Sequence, residues 1–427
     1  MRRVIRENGL CAAIALLGSG ALAWLGLYGF AWNDYDNEAR QSFEALVHGH
    51  LEQFLRLAPA YGGSLVERAP FALLPGLWSG GQLAVYRAVA APCLLAAALL
   101  GVWLLSTMRR ERRPPIARAI ALALCVANPV TLSALEVGHP EELLGACLCV
   151  CAVLLAGEQR ALGAGLALGL AIANKEWAVL AAGPVLLALP ARRRAPCLGV
   201  AAITAVGVLA PLLLVGSGGF SAATRASASA ASAVFQPWQL WWFLGHHGAL
   251  VHGAFGAPKP GYRIGPAWIA SLDHRLVVAT GLALAVATWL RFRRERDRLS
   301  VRRALLALAL IMLLRAMLDT WDTAYYMLPF LFALLAWEIR GARVHPPVLA
   351  LCSTIAVWLT FTALPEHVSP DVQSAVFLAW SLPLALALAL VLLAPRRAAA
   401  IAARRRSAGA KAHEMTVKSF ARPLRTS

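Results

Sequence analysis

The 427-residue chain is 59% hydrophobic and only 15% charged; with glycine counted and tyrosine left out, roughly 65% is apolar, against about 45–50% in soluble domains. A soluble core cannot absorb that excess, and runs that are near-continuous instead of alternating exclude a membrane β-barrel. Forty Lys and Arg against 22 Asp and Glu leave +18, but these charges sit in short segments between apolar runs, where they orient helices in a membrane and argue against nucleic acid as a partner.

Arg2, Arg3 and Arg6 precede an apolar run from about Leu10 to Trp32. Ala21-Leu22-Ala23 resembles a signal-cleavage site, but the run continues past it, which predicts an uncleaved first span. A polar stretch at 33–83 follows, opening with Asn33-Asp34-Tyr35-Asp36-Asn37-Glu38. Within it, Glu38–Leu57 reads as one amphipathic helix with Phe43, Leu46, Val47, Leu51, Phe54 and Leu55 on its apolar side, suited to the membrane interface. Apolar segments then recur at 84–107, 116–135, 143–156, 161–173, 177–190, 195–216, 276–290, 304–318, 323–339, 347–363 and 372–394, about twelve with the first. Three of these (143–156, 161–173 and 177–190) are only 13 or 14 residues long, roughly 20 Å as helix against a hydrocarbon core of about 30 Å. Asn174-Lys175-Glu176 interrupts the last two, which predicts a shallow hairpin with a charged tip. The Gly-, Ala- and Ser-rich stretch Ser217–Ser232 leads into a second polar loop, 217–275. The predicted architecture is all-α: a polytopic bundle of about twelve transmembrane helices in one membrane domain, 1–394, with a basic, disordered tail at 395–427.

Orientation follows the basic clusters. With the N-terminus cytoplasmic, Arg109–Arg113, Arg160, Arg192–Arg194, Arg291–Arg303, Arg340 and Arg343, and the tail from Arg396 all fall on the cytoplasmic side. Loops 33–83 and 217–275 then face outward, and the localisation is multi-pass in the plasma (inner) membrane with both termini cytoplasmic. The eight cysteines lie inside apolar runs, where Cys acts as a small hydrophobe, and their spacing lacks the His and Cys partners of a zinc site. No cofactor or metal is expected.

Chemistry-bearing residues concentrate on the outward side. Asp34, Asp36 and Glu38 meet the end of the first span, where carboxylates are costly unless they face water or a cavity; Asp34 or Asp36 fits a general base at the lipid–water boundary. Gly138-His139-Pro140-Glu141-Glu142 forms an outer turn. Acids in a first helical turn are ordinary dipole chemistry, yet an imidazole with two carboxylates also suits sugar hydroxyls. Lys175 sits at membrane depth, a position that marks function unless it pairs with Glu176 or snorkels outward. Arg315 lies one turn inside the outer end of its span, with Asp319 at i+4 as a helix partner and Asp322 beyond. Trp238 and His246 belong to a Trp- and His-rich stretch of the second loop, which reads as an interfacial belt or as a sugar-stacking surface.

Several of these motifs together resemble polytopic glycosyltransferases of the GT-C superfamily, in particular glycosyltransferase family 87. They are Asp34-Tyr35 with Ala39, Leu46 and Gly49; Asn128-Pro129; Gly138-His139-Pro140-Glu141-Glu142; Gly165-Leu166-Ala167-Leu168-Gly169-Leu170-Ala171; and Lys175-Glu176-Trp177 with Pro184. The resemblance covers roughly the first 190 residues well and the rest loosely. It implies a GT-C-like fold with a long first outer loop, and transfer of mannose or a related hexose or pentose from a polyprenyl-phosphate donor to a cell-envelope glycolipid or glycan acceptor. It implies a catalytic base at Asp34, with Asp36 as a second acid. Lys175 and Arg315 are then the expected donor-phosphate ligands, and His139, Glu141, Glu142, Trp238 and His246 the expected substrate contacts. A transporter or flippase of a lipid-linked saccharide is the alternative, and a non-catalytic scaffold a third reading; two large loops on one face and the lack of a detectable repeat favour the enzyme.

Overall fold

The computed structural model describes residues 34–78, 80–215, 218, 222, 235–247, 260–293, 298–320, 323–341 and 346–395. The expected first span, the tail, Asp322 and most of Ser217–Ser232 lie outside the described residues. The polar stretch 33–83 contributes α1 (Arg40–Val47), α2 (Leu51–Arg56) and α3 (Gly62–Ala72). The bundle continues with α4 (Gln82–Arg110), α5 (Pro115–Val126), α6 (Pro129–Val137), α7 (Glu141–Gly157), α8 (Ala161–Asn174), α9 (Ala182–Ala188) and α10 (Ala191–Val215). After the second loop come α11 (Ala267–Phe292), α12 (Val301–Leu318), α13 (Leu328–Ile339), α14 (Val348–Trp358) and α15 (Pro370–Leu393). The strands β1 (His246–His247) and β2 (Arg263–Ile264) pair antiparallel in the second loop.

Each apolar segment from 84–107 to 372–394 is largely helical over its described residues, with 116–135 divided between α5 and α6. Among the described residues, six helical stretches are long and apolar enough to cross a membrane: 82–110, 115–137, 191–215, 274–292, 348–366 and 370–393. Their outer faces carry exposed aliphatic side chains such as Ile203, Val206, Leu214, Leu282 and Leu386, surface that only lipid covers at low cost. This is an integral membrane protein. At its centre, α12 is buried from Ala304 to Leu313 without interruption, a helix apolar all round because protein surrounds it on every side.

Two local breaks place the functional residues. Pro129 lacks an amide hydrogen, and the Asn128 side chain accepts from Val130 N at 2.9 Å, so α5 stops and α6 starts anew. Lys175 is extended (φ −151°, ψ 133°), which separates α8 from a 3-10 turn at Glu176–Ala181 that runs into α9. The interruption expected at Asn174-Lys175-Glu176 is therefore present. The single helix expected over Glu38–Leu57 is not. Gly49 takes φ +81° between α1 and α2, and Ser42 Oγ donates to Phe54 O at 2.7 Å to fold the two halves together. Phe43 and Phe54 consequently enter a protein core with Tyr35, Leu65, Val89 and Leu212, while Leu51 is left exposed.

Candidate active site

The α6–α7 turn supplies the centre of a polar cluster. Gly138 closes α6 at φ +103°, a left-handed conformation that L side chains rarely adopt, and the chain then presents His139 and starts α7 at Glu141. Glu141 and Glu142 do occupy a first helical turn, as dipole chemistry suggests, but both carboxylates are fully buried and held by cations.

His139 bridges Asp34, ahead of α1, and the start of α7. Its Nδ1 lies 2.7 Å from Glu141 Oε1, and its Nε2 lies 3.3 Å from Asp34 Oδ2. The rings of Tyr61 and Tyr325 wall it in at 5.5 and 4.9 Å. Burial disfavours the imidazolium, but the Glu141 charge and the hydrogen bonds to Asp34 and Glu141 outweigh it, raising His139 from its ordinary 6.5 to about 9. Asp34 keeps 37% of its side-chain surface exposed, so one face of the carboxylate is open while the other is anchored. Asp36, two residues on, turns elsewhere: Arg40 reaches it at 3.3 Å and Glu44 at 2.9 Å.

Three cations surround the two glutamates. Arg68 of α3 approaches Glu141 Oε2 at 3.2 Å and donates to Ser64 O and Oγ. Lys175 Nζ lies 3.3 Å from Glu141 and 3.5 Å from Glu142, over the face of Tyr61. Glu176, offered by the sequence as its partner, is exposed. Arg315 of α12 sits between the rings of Trp177 and Tyr326, 4.0 Å from Glu142 Oε2. Asp319, its expected helix partner, follows the end of α12 in an extended conformation, 4.0 Å from His274. Trp177 Nε1 donates to Glu142, and Asn174 Nδ2 to the Glu141 carbonyl. Gly145 of α7 makes room for this: a Cβ there would meet Asn174 at 2.9 Å and Trp177 at 3.1 Å.

The structure thus gathers Asp34, His139, Glu141, Glu142, Lys175 and Arg315 into one connected cluster, with Asp36 turned to its own helix. Trp238 and His246 take other contacts. Trp238 stacks on Phe361 at 4.8 Å, and His246 is exposed in the two-stranded ribbon. The same loop nevertheless touches the helix that carries Arg315, because Leu240 N and Trp241 Nε1 donate to the carbonyls of Met317 and Leu318. Among the described residues no group of three or more His, Cys, Asp or Glu is arranged to hold a metal ion.

Buried acids and cations at one end of a helical membrane bundle are shared by enzymes and transporters, and the comparison with known families decides between them. Residues 63–316 match glycosyltransferase family 87. The chain belongs to that family. No curated protein matches it. The family 87 region includes Arg68, His139, Glu141, Glu142, Lys175 and Arg315 and extends well beyond the first 190 residues that carry the resemblance in sequence, while Asp34 and Asp36 precede it. As a family 87 member embedded in a membrane, the chain is a glycosyltransferase.

Arg68, Tyr61 and Trp177 take part in the cluster and are not singled out as site residues by the sequence. A signal for the first two exists: Tyr61, Leu65, Arg68 and Ala72 recur at helical spacing and are all buried.

Proposed function

We propose that this glycosyltransferase transfers mannose or a related sugar from a polyprenyl phosphate to a cell-envelope glycolipid or glycan at the outer membrane face, within a bundle of about twelve spans. The observation that carries the reading is Asp34, a carboxylate exposed on one side and anchored to His139 on the other. In the reaction Asp34 takes the proton of an acceptor hydroxyl as its oxygen attacks the anomeric carbon. The bond from that carbon to the phosphate oxygen breaks, and its electrons leave with the polyprenyl phosphate. The leaving group is stable as an anion, so cations need only hold it. Lys175 and Arg315 are suited to this by their place beside Glu142, and a lysine with two carboxylate contacts retains a third hydrogen for a phosphate oxygen.

Asp34→Asn tests the base directly, since an amide keeps the shape but cannot accept the proton. With a radiolabelled polyprenyl-phosphate mannose donor in proteoliposomes, transfer should fall by at least about a hundredfold, the range for losing a general base, at unchanged expression. Full transfer by the Asp34 variant would remove Asp34 from the mechanism. Asp36→Asn, which loosens the Arg40 pair, should retain most of the activity.

A further inference from the structure

A second charged feature lies at the Arg-rich end of the bundle and plays no part in the chemistry above. A cavity of about 290 Å³ opens where the end of α11, the start of α12 and the α9–α10 turn meet. Its lining includes Arg194, Arg293 and Arg298 together with Trp289 and Phe292. Basic residues at helix ends ordinarily fan out into water and only set orientation; here three converge on a concavity. Two are oriented in advance. Arg194 Nε donates to the carbonyls of Leu186 and Leu189, and Arg293 lies over Trp289 at 5.2 Å. Leu299 N bonds to Leu187 O at 2.7 Å, tying the two sides of the cavity together.

We propose that this cavity binds the phosphate headgroup of an anionic membrane phospholipid. Guanidinium forks match phosphate oxygens in pairs, and basic pockets between membrane helices recognise acidic headgroups. The sequence 291–303 carries seven arginines against two acids, and its described residues include five arginines and no acid. The volume falls at the small end of ligand pockets, about 300–1,000 Å³, which suits a headgroup and not a whole lipid. The acyl chains have a path as well. Val278, Leu282 and Val286 recur every four residues on α11 and are exposed, as is Trp289 at the cavity rim, so one apolar lane runs from the membrane into the charged cavity.

The test titrates the full-length protein in detergent with short-chain phosphatidylglycerol, short-chain phosphatidylcholine and inorganic phosphate, following bound ligand by native mass spectrometry. Phosphatidylglycerol should bind saturably and phosphatidylcholine should not. The triple variant Arg194→Gln, Arg293→Gln, Arg298→Gln should bind phosphatidylglycerol at least about tenfold more weakly. Removing as many charges elsewhere on that face, by Arg109→Gln, Arg110→Gln and Arg112→Gln, should leave binding intact. Equal loss in that control set would reduce the effect to the general charge of the face and overturn the site. Unchanged binding in the triple variant would do the same, and displacement of the lipid by equimolar inorganic phosphate would make it a free-anion site. If the triple variant fails to fold, Arg298→Gln replaces it and should weaken binding alone, because Arg298 is exposed and, among the described residues, its side chain gives up a 3.4 Å bond to Gly157 O.

Discussion

Asp34 and His139 come from distant parts of the chain, and their pairing gives the site a pH signature. His139 titrates at about 9 in the folded protein against an ordinary 6.5, so folding favours its charged form. The stability this contributes is fully present below about 6.5 and is lost as the pH rises through about 9. His139→Gln should therefore lower the melting temperature in detergent at pH 6 and flatten its decline between pH 6.5 and 9; an unchanged slope in the variant would show that another group titrates there. Lys175 poses a different question, because its contacts fit both a phosphate ligand and a counter-ion for buried acids. Lys175→Gln removes one of the cations shared by Glu141 and Glu142, while Arg68, His139 and Arg315 remain beside them, and should destabilise the protein by less than the roughly 3–5 kcal/mol of a fully broken buried pair. Adding Glu142→Gln should recover much of the melting temperature. If Lys175 also holds donor phosphate, transfer stays low in the refolded double variant; recovery of transfer together with stability would leave it only the counter-ion role. These residues were legible in the sequence because a charge within apolar surroundings stands out. Arg68 is marked only by its helical spacing with Tyr61, Leu65 and Ala72, since an arginine in a polar loop stands out little until folding buries it, and a clustering of Trp and His around Trp238 and His246 carries no information about which distant helix they meet.

The helices are legible as apolar runs, and one break is legible, at Asn174-Lys175-Glu176; the break at Asn128-Pro129 falls inside 116–135, which reads as a single segment because the apolar run continues across it. The bend at Gly49 was missed because the amphipathic pattern of Phe43, Leu46, Phe54 and Leu55 continues across it, and periodicity cannot report a change of direction. Glycines in α8 show what that helix is built to do. A Cβ on Gly165 or Gly169 would lie 2.4 or 2.5 Å from the carbonyl oxygens of Cys197 or Ala201 in α10, so the two backbones touch. This contact, together with Gly63 of α3 against Ala173 O, seats the end of α8, and hence Lys175, beneath the outer loop. Gly165→Leu should cost at least about 1–3 kcal/mol through overpacking, read as a lower melting temperature and reduced transfer. Gly199→Ala and Gly207→Ala in α10 meet nothing within 4 Å and should be neutral or slightly stabilising. Equal tolerance at Gly165 would mean that the α8–α10 contact does not set the position of Lys175.

At the scale of the whole molecule, the catalytic reading and the lipid site require opposite ends of the bundle to face opposite sides of the membrane. The cluster around His139 lies at the end of α6 and the start of α7, whereas the Arg-rich cavity lies at the end of α11 and the start of α12. Orientation by basic residues places the arginine end in the cytoplasm, because Lys and Arg in short loops resist translocation. The same assignment would put α1–α3, and Asp34 ahead of them, on the outer side, where the proposed lipid-linked donor would present its head. Accessible single cysteines distinguish the two faces. Leu77, 81% exposed, and His367, exposed between α14 and α15, report the proposed outer face; Ser300, exposed before α12, reports the other. The described native cysteines all lie within helices and contribute a constant background. In intact cells a membrane-impermeant maleimide should label Leu77→Cys and His367→Cys but not Ser300→Cys, which should react only after permeabilisation. The reverse pattern would turn the molecule over, move Asp34 to the cytoplasmic leaflet and remove the outer-face donor from the proposal, while leaving the geometry of the cluster and the family assignment as they stand. Labelling of Leu77→Cys and Ser300→Cys from the same side would instead break the parity of spans between them and require a different path for α7 to α9.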